Sequence, residues 1–439
     1  MIEAISTLTG IPYAETRMLI TIICQILLSI LYGRLPVDSK SPNFKKQIRN
    51  RELFGLIVGA VSYYYLFPMT EMMIIVASSV VFYYLSFLCK DAKTTMTINF
   101  INFSMLCVAH IHRTVFFYEE NIYNFNVLLM MLVPKQIYFN SHVHRLNIER
   151  TDGDKKEQVE IPTFYEYLCY NFNYIGSLTT PVYSYQEYKD FISQSYGQSK
   201  INIAALMKRI GLLLVASGLY AVIGTHHDYN LIDSRLFRQN NILYQLIYVA
   251  IQGLFIRVRF YIIWLLAEIM VVLVNFRDAD DNYKDYLSAV DIFKLEMNVS
   301  PRLRVANWNK SIAKFYRICF YNPFTKYLKI DSTSASLFVF ILSAFWHGFY
   351  PTYYFSFFFL YLVTMTERIV YRNKEKLWFI PGIFFWIMFD VAGICFKRHT
   401  FRSTKEVLKN IWYLVALNFI VHVGIRRYLK YLHKKQKAK

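Results

Sequence analysis

Apolar residues along the chain gather into long runs separated by short polar segments, without the strict alternation of half-buried strands. Such runs occupy 18–33, 54–68, 71–89, 97–111, 125–139, 209–224, 242–257, 260–275, 335–350, 352–366, 377–396 and 408–424. Most approach the roughly 17–25 residues that cross a bilayer as a helix. Backbone polar groups in hydrocarbon must be satisfied within the segment, which selects helices over open strands. The pattern predicts an all-α, polytopic integral membrane protein with about ten or eleven transmembrane helices. It is read as one domain over 1–439, with N-terminal spans in 18–139, C-terminal spans in 377–424 and a basic tail at 425–439.

Five stretches depart from plain spans. Residues 163–188 mix Glu166, Asn171 and Asn173 with many tyrosines, and two readings fit: a re-entrant segment lining protein or a wet cavity, or an aromatic belt at the headgroup level. Residues 242–275 are apolar but interrupted by Arg257 and Arg259, with Glu268 further on. An Arg near a span end can snorkel. Glu268 needs a buried partner, for which Arg257 or Arg259 is the candidate, as a structural ion pair or beside a substrate contact. Residues 275–303 form a polar connector, and 145–160 a hydrophilic loop. After Trp308, Ile312, Phe315, Tyr316, Cys319 and Phe320 follow helical spacing, opposite Lys310, Lys314 and Arg317. That pattern predicts an in-plane amphipathic helix.

Composition supports the membrane reading. Apolar residues make up 55% of the 439 positions and aromatics 18%, more than one soluble core hides. The net charge of +19 sits in short loops and the C-terminal tail, which reports orientation and attraction to anionic lipids, not nucleic-acid binding. The basic loop 34–52 is expected on the cytosolic side, which puts the N-terminus in the lumen. The first 16 residues carry Glu3 and Glu15 and no basic n-region, so no cleavable signal peptide is expected. The six cysteines lie mostly in apolar runs and read as core residues. The pairs His110/His112, His142/His144 and His226/His227 lack further ligands at metal spacing and read as interfacial or loop histidines, with no metal.

The candidate chemistry concentrates in 307–354. His347 falls deep inside an apolar run, and an intramembrane His is a functional-site candidate because lipid cannot replace its hydration. Asn309 opens the amphipathic segment, where an Asn commonly serves as a helix N-cap.

The order of motifs resembles the membrane-bound O-acyltransferase family, in its lysophospholipid acyltransferase branch. Pro162…Glu166-Tyr167…Gly176…Pro181…Tyr185…Tyr188 resembles its first motif and Arg259-Phe-Tyr261…Glu268 its second. Trp308-Asn309 resembles the motif with the family's catalytic Asn. Ser343-Ala-Phe-Trp-His347-Gly-Phe-Tyr-Pro351 resembles that with its catalytic His. The similarity covers about 160–360. Residues 169–176 and 257–261 look most like the lysophosphatidylinositol enzymes. Two positions depart from the family pattern: Thr180 before Pro181 and Thr352 after Pro351 replace the usual Gly, which is expected to serve tight turns.

The resemblance implies helices around an intramembrane tunnel and transfer of a fatty acyl chain from acyl-CoA, as co-substrate, to the free hydroxyl of a lysophospholipid. His347 would be the general base, kept neutral by apolar surroundings. Asn309 would steady the oxyanion or orient the hydroxyl. Arg259, Tyr261, Glu268, Trp308, Trp346, Tyr350, Tyr353 and Tyr354 would bind substrate, and no cofactor is required. Lysophosphatidylinositol is the favoured acceptor, with choline, ethanolamine and serine headgroups as alternatives. Two rival readings are acylation of a protein, peptide or sterol, and a non-enzymatic lipid transporter. Lys435 and Lys437 resemble a dilysine retrieval signal read by a coat complex, which implies an endoplasmic-reticulum membrane and a cytosolic C-terminus.

Overall fold

The structure, a computed structural model, describes residues 2–9, 12–116, 125–151, 160–195, 197, 201–280, 282–373, 377, 382–398 and 401–437. Helices and connecting turns account for these residues, and among them no β-strand is present. The architecture is all-α and multi-pass. Among the described residues, five helices are long and apolar enough to cross a bilayer: Tyr13–Tyr32, Met69–Ser86, Ala92–Phe116, Ile203–His226 and Arg402–Lys434 within the helix Phe401–Lys437. That is fewer than the ten or eleven expected. The helices Ser332–His347 and Gly382–Lys397 have only 16 residues each. Each extends about 24 Å, against about 30 Å of hydrocarbon.

The chain forms two compact units. The first holds Met1–Leu214, Ile263–Ala289 and Asn309–Asp331; the second holds Val215–Ile262, Val290–Trp308 and Ser332–Lys439.

In the first unit, residues 163–188 are neither an aromatic belt nor a span. They form the helices Phe164–Asn171 and Tyr185–Ser193, each opened by a capping box, Thr163/Glu166 and Ser184/Glu187. Tyr167, Tyr170, Tyr174, Tyr183, Tyr185 and Tyr188 are all buried. Two of their hydroxyls bond the backbone inside: Tyr170 donates to the Tyr183 carbonyl (2.7 Å), and Tyr183 to that of Ile175 (2.8 Å). Gly176 takes φ +66°, and a Cβ there would meet the Pro181 carbonyl oxygen at 2.0 Å. The tight turn therefore rests on Gly176, while Thr180 has no positive φ.

Several sequence expectations need correction. The hydrophilic loop begins later than expected, because the helix Phe125–Thr151 runs through Arg145; residues 152–159 lie outside the described residues. Of the paired histidines only His227 lies outside a helix. His110 and His112 lie within the helix Ala92–Phe116, His142 and His144 within Phe125–Thr151, and His226 ends Ile203–His226. His142 is placed by packing, its ring 4.8 Å from Tyr185. The side chains of Lys435 and Lys437 also lie outside the described residues.

The in-plane segment is a helix Lys310–Tyr316, a π-helical turn Arg317–Tyr321 and a helix Asn322–Lys326. Ile312, Phe315, Tyr316, Cys319 and Phe320 are buried as the spacing predicts. Lys314 does not join an outer cationic stripe. It pairs with Glu187 (2.8 Å), Asp280 (3.2 Å) and Asp278 (3.7 Å). Burial works against its charge, but these carboxylates outweigh it and raise its pKa.

In the second unit, a core of Val249, Ile256, Phe359, Val363, Met388, Val391, Val407 and Ile411 joins the helices Pro351–Arg372, Gly382–Lys397 and Phe401–Lys437. The stretch 242–275, expected as two spans, is one 32-residue helix, Ile242–Leu273, which enters both units.

Candidate functional site

His347 is the last residue of the helix Ser332–His347. Gly348 follows at φ +135°, a conformation L side chains rarely adopt, and its N–H bonds the Ala344 carbonyl (3.2 Å). Tyr350 is extended, and Pro351 starts the next helix. The histidine is therefore not deep inside a continuous helix. A Gly stop and a Pro start place it at a helix end, facing an irregular turn.

Its imidazole is ringed by aromatics, with centroids at 4.7 Å to Trp346, 4.8 Å to Phe396, 5.3 Å to Phe357 and 5.8 Å to Tyr353. Tyr350 and Tyr353 are buried together with Ala344, and Tyr354 packs against them. The structure thus gathers Trp346, His347, Tyr350, Tyr353 and Tyr354. Thr352 is buried in the first turn of the helix without a positive φ, so the left-handed residue of this motif is Gly348, not position 352.

A second group in this unit forms around Tyr261 and Trp308, whose rings lie 6.1 Å apart. The Tyr261 hydroxyl donates to Glu296 Oε1. Glu296 also receives a bidentate contact from Arg257, Nε at 2.7 Å and Nη2 at 2.8 Å, while Arg257 Nη1 bonds Asp390. Arg304, fully buried, completes the cluster. Its Nη2 stands 3.6 Å from both Glu296 and Asp390, and its Nη1 donates to the Trp386 carbonyl (3.1 Å). Burial opposes the Glu296 charge, yet Arg257 holds its pKa below the usual value. Gly253 makes room for the cluster, since a Cβ there would stand 2.6 Å from Asp390 Cγ.

Arg257 therefore does not snorkel. It is neutralised by carboxylates from two other elements, so its helix need not end there. One of these is on Gly382–Lys397, which also carries Phe396 against His347. The other precedes Pro301–Asn307, the helix that leads into Trp308. Arg259 is half-buried on the same helix as Tyr261.

A cavity of about 380 Å³ opens in this unit, lined by Arg302, Arg368 and Arg372 with Ser336 and Tyr371. Ser336 lies eleven residues before His347 on one helix, about 16 Å at a rise of about 1.5 Å per residue.

In the first unit, Asn309 takes the left-handed conformation (φ 43°, ψ 56°) ahead of Lys310–Tyr316. Asn is among the few residues that tolerate it. It holds the N-cap position but its side chain makes no cap bond, and Oδ1 is buried without a hydrogen-bond partner among the described residues. The local backbone is fixed from outside, with the Lys310 N–H bonding the Ala289 carbonyl (2.8 Å).

Glu268 holds the same loop. Its Oε1 accepts from Ser288 Oγ (2.7 Å) and the Ala289 N–H (2.9 Å). Its ionic partner is Arg209, with Nε 3.3 Å from Oε2, and neither Arg257 nor Arg259 as expected.

Sequence reasoning missed Asp390, Glu296, Arg304, Arg209 and Phe396. Asp390 alone had a signal, as a lone carboxylate in the apolar run of Gly382–Lys397.

Residues 52–396 match the sequence model of MBOAT, the membrane-bound O-acyltransferase family, and the chain belongs to that family. Three relatives are similar to the chain over part of their length. Membrane-bound glycerophospholipid O-acyltransferase 2 of Homo sapiens is 29% identical over 308 residues, 63% of this chain and 57% of the relative. Membrane-bound glycerophospholipid O-acyltransferase 1 of Homo sapiens is 25% identical over 312 residues, 64% and 61%. Membrane-bound acylglycerophosphatidylinositol O-acyltransferase frj of Drosophila melanogaster is 24% identical over 320 residues, 64% and 63%. The chain spans about three fifths of the length of these curated relatives.

Proposed function

We propose that this protein is a lysophospholipid acyltransferase, moving a fatty acyl chain from acyl-CoA to the free hydroxyl of a lysophospholipid. The observation that carries the reading is the agreement of the three relatives, whose names all describe O-acyltransferases of glycerophospholipids. The name of the Drosophila relative favours an inositol headgroup.

In this proposal the His347 imidazole takes the proton of the lysolipid hydroxyl as its oxygen attacks the thioester carbonyl. The C–O bond forms, the C–S bond breaks, and the proton passes to the departing CoA sulfur. An alcohol is a poor nucleophile at neutral pH, and a positioned base contributes about 10²–10⁴-fold. For Asn309 the buried, unpartnered Oδ1 favours orienting the attacking hydroxyl, since an amide oxygen accepts from O–H.

The three-arginine cavity is assigned to the donor, whose phosphates lie at the far end of a long arm from its thioester. Arg259 is kept as a substrate contact, whereas Glu268 is reassigned to holding the Ser288–Ala289 loop. We place the reaction at the endoplasmic-reticulum membrane, with the donor arriving from the cytosol.

The test is transfer from labelled acyl-CoA to lysophospholipids with inositol, choline, ethanolamine and serine headgroups, with sterol and peptide acceptors alongside. The reading expects a phospholipid product, most with inositol. Product only on a sterol or peptide, or on nothing, overturns it.

A further inference from the structure

A second cationic recess lies in the second unit and shares no lining residue with the three-arginine cavity. It has a volume of about 490 Å³ and is lined by Arg238, Thr404, Lys405, Leu408, Lys409 and Trp412. Its walls are the helix Arg235–Gln239 and the start of Phe401–Lys437. They are tied by Asn410, whose Nδ2 donates to the carbonyls of Ile232 (2.5 Å) and Ser234 (3.2 Å). Arg398 adds an ion pair to Asp233 at 3.0 Å. The recess therefore has fixed walls.

Its charge is unbalanced. Arg238, Lys405 and Lys409 face it, and the nearby Glu406 is bonded to Lys409 (2.6 Å). The two lysines stand in the opening turns of a long helix whose first turn has no acidic residue.

Along the recess the character changes. Thr404, Lys405, Leu408 and Lys409 line the recess before the kink at Ile411, and Trp412 lines it just after. At its deeper end Trp412 is 64% exposed. Cations at one end and an uncovered indole at the other match an amphiphile with an anionic head.

We propose that this recess binds an anionic glycerophospholipid of the surrounding bilayer, its phosphate on Arg238, Lys405 and Lys409 and an acyl chain along Leu408 and Trp412. The proposal does not depend on the acyl-transfer reaction. Basic clusters at the membrane surface attract anionic lipids by about 1 kcal/mol per cation, a factor of about 5 each. Two net cations give a preference of about 25-fold over zwitterionic lipid.

The full chain in phosphatidylcholine nanodiscs, doped with brominated phosphatidylglycerol or brominated phosphatidylcholine, tests this through indole quenching. The Trp412 share is obtained by difference from Trp412→Phe. Quenching of Trp412 should favour the anionic lipid by about 25-fold, falling about 5-fold in Arg238→Ala and in Lys405→Ala. Equal quenching by the two lipids, or a preference unchanged in both variants, overturns the proposal. A free-phosphate arm separates the sources: relief of quenching by coenzyme A or inorganic phosphate alone overturns the lipid assignment.

Discussion

At the residue scale, Asn309 carries two separable properties. Its backbone sits in the left-handed region, and its amide oxygen is buried without a partner. Asn309→Ala disturbs both, whereas Asn309→Gly relieves the backbone and removes only the amide. In the proposed role, both substitutions should lower acyl transfer about 100-fold, the loss typical of a misplaced reactant. Asn309→Gly should keep the wild-type thermal midpoint. Activity near wild type in Asn309→Gly would assign the residue to backbone geometry alone.

The sequence motif pointed to Asn309 but not to its uncapped state. A side chain at a helix start either caps or does not, and only the three-dimensional surroundings decide. His347 was legible as a polar ring in an apolar run. Its position at a helix end was also legible in retrospect, because Gly348 and Pro351 are the residues that stop and restart helices.

At the element scale, Gly253 and Gly218 provide a contrast. Both are helical. A Cβ at Gly253 would meet Asp390 at 2.6 Å, while at Gly218 it meets nothing within 4 Å. Gly→Ala in an open helical position stabilises by about 1 kcal/mol. Overpacking a filled interior destabilises by about 1–3 kcal/mol. Gly218→Ala should therefore raise the thermal midpoint and Gly253→Ala lower it, read by unfolding in detergent. If both raise it, Asp390 is not held against that helix.

The same element shows why the ion pairs were hard to assign. Helical spacing tells which residues share a face, so Arg257, Arg259 and Glu268 were natural candidates for one another. The partners of Arg257 (Glu296 and Asp390) and of Glu268 (Arg209) come from other segments. Periodicity carries no information on which helix packs on which.

At the scale of the whole molecule, all-α, multi-pass character was legible because bilayer thickness and backbone hydrogen bonding constrain it directly. Helix length was less so. The helix Ile242–Leu273 runs through Arg257 and Glu268 because their charges are compensated internally, and 163–188 bury most of their tyrosines instead of spreading them at an interface. The buried cluster of Arg257, Arg304, Glu296 and Asp390 makes a prediction for the second unit. Removing one partner of a buried ion pair costs about 3–5 kcal/mol. Asp390→Asn should lower stability by about that amount and reduce activity, because its helix also carries Phe396 beside His347. A variant of unchanged stability would contradict this role.

The central claim is that His347 removes the proton of the acceptor hydroxyl, and it is tested most directly by the transfer rate from labelled acyl-CoA to lysophosphatidylinositol with purified wild type and His347→Ala at equal folded concentration. The account predicts product with wild type and a rate at least about 100-fold lower in the variant. Equal rates in the two proteins would contradict it.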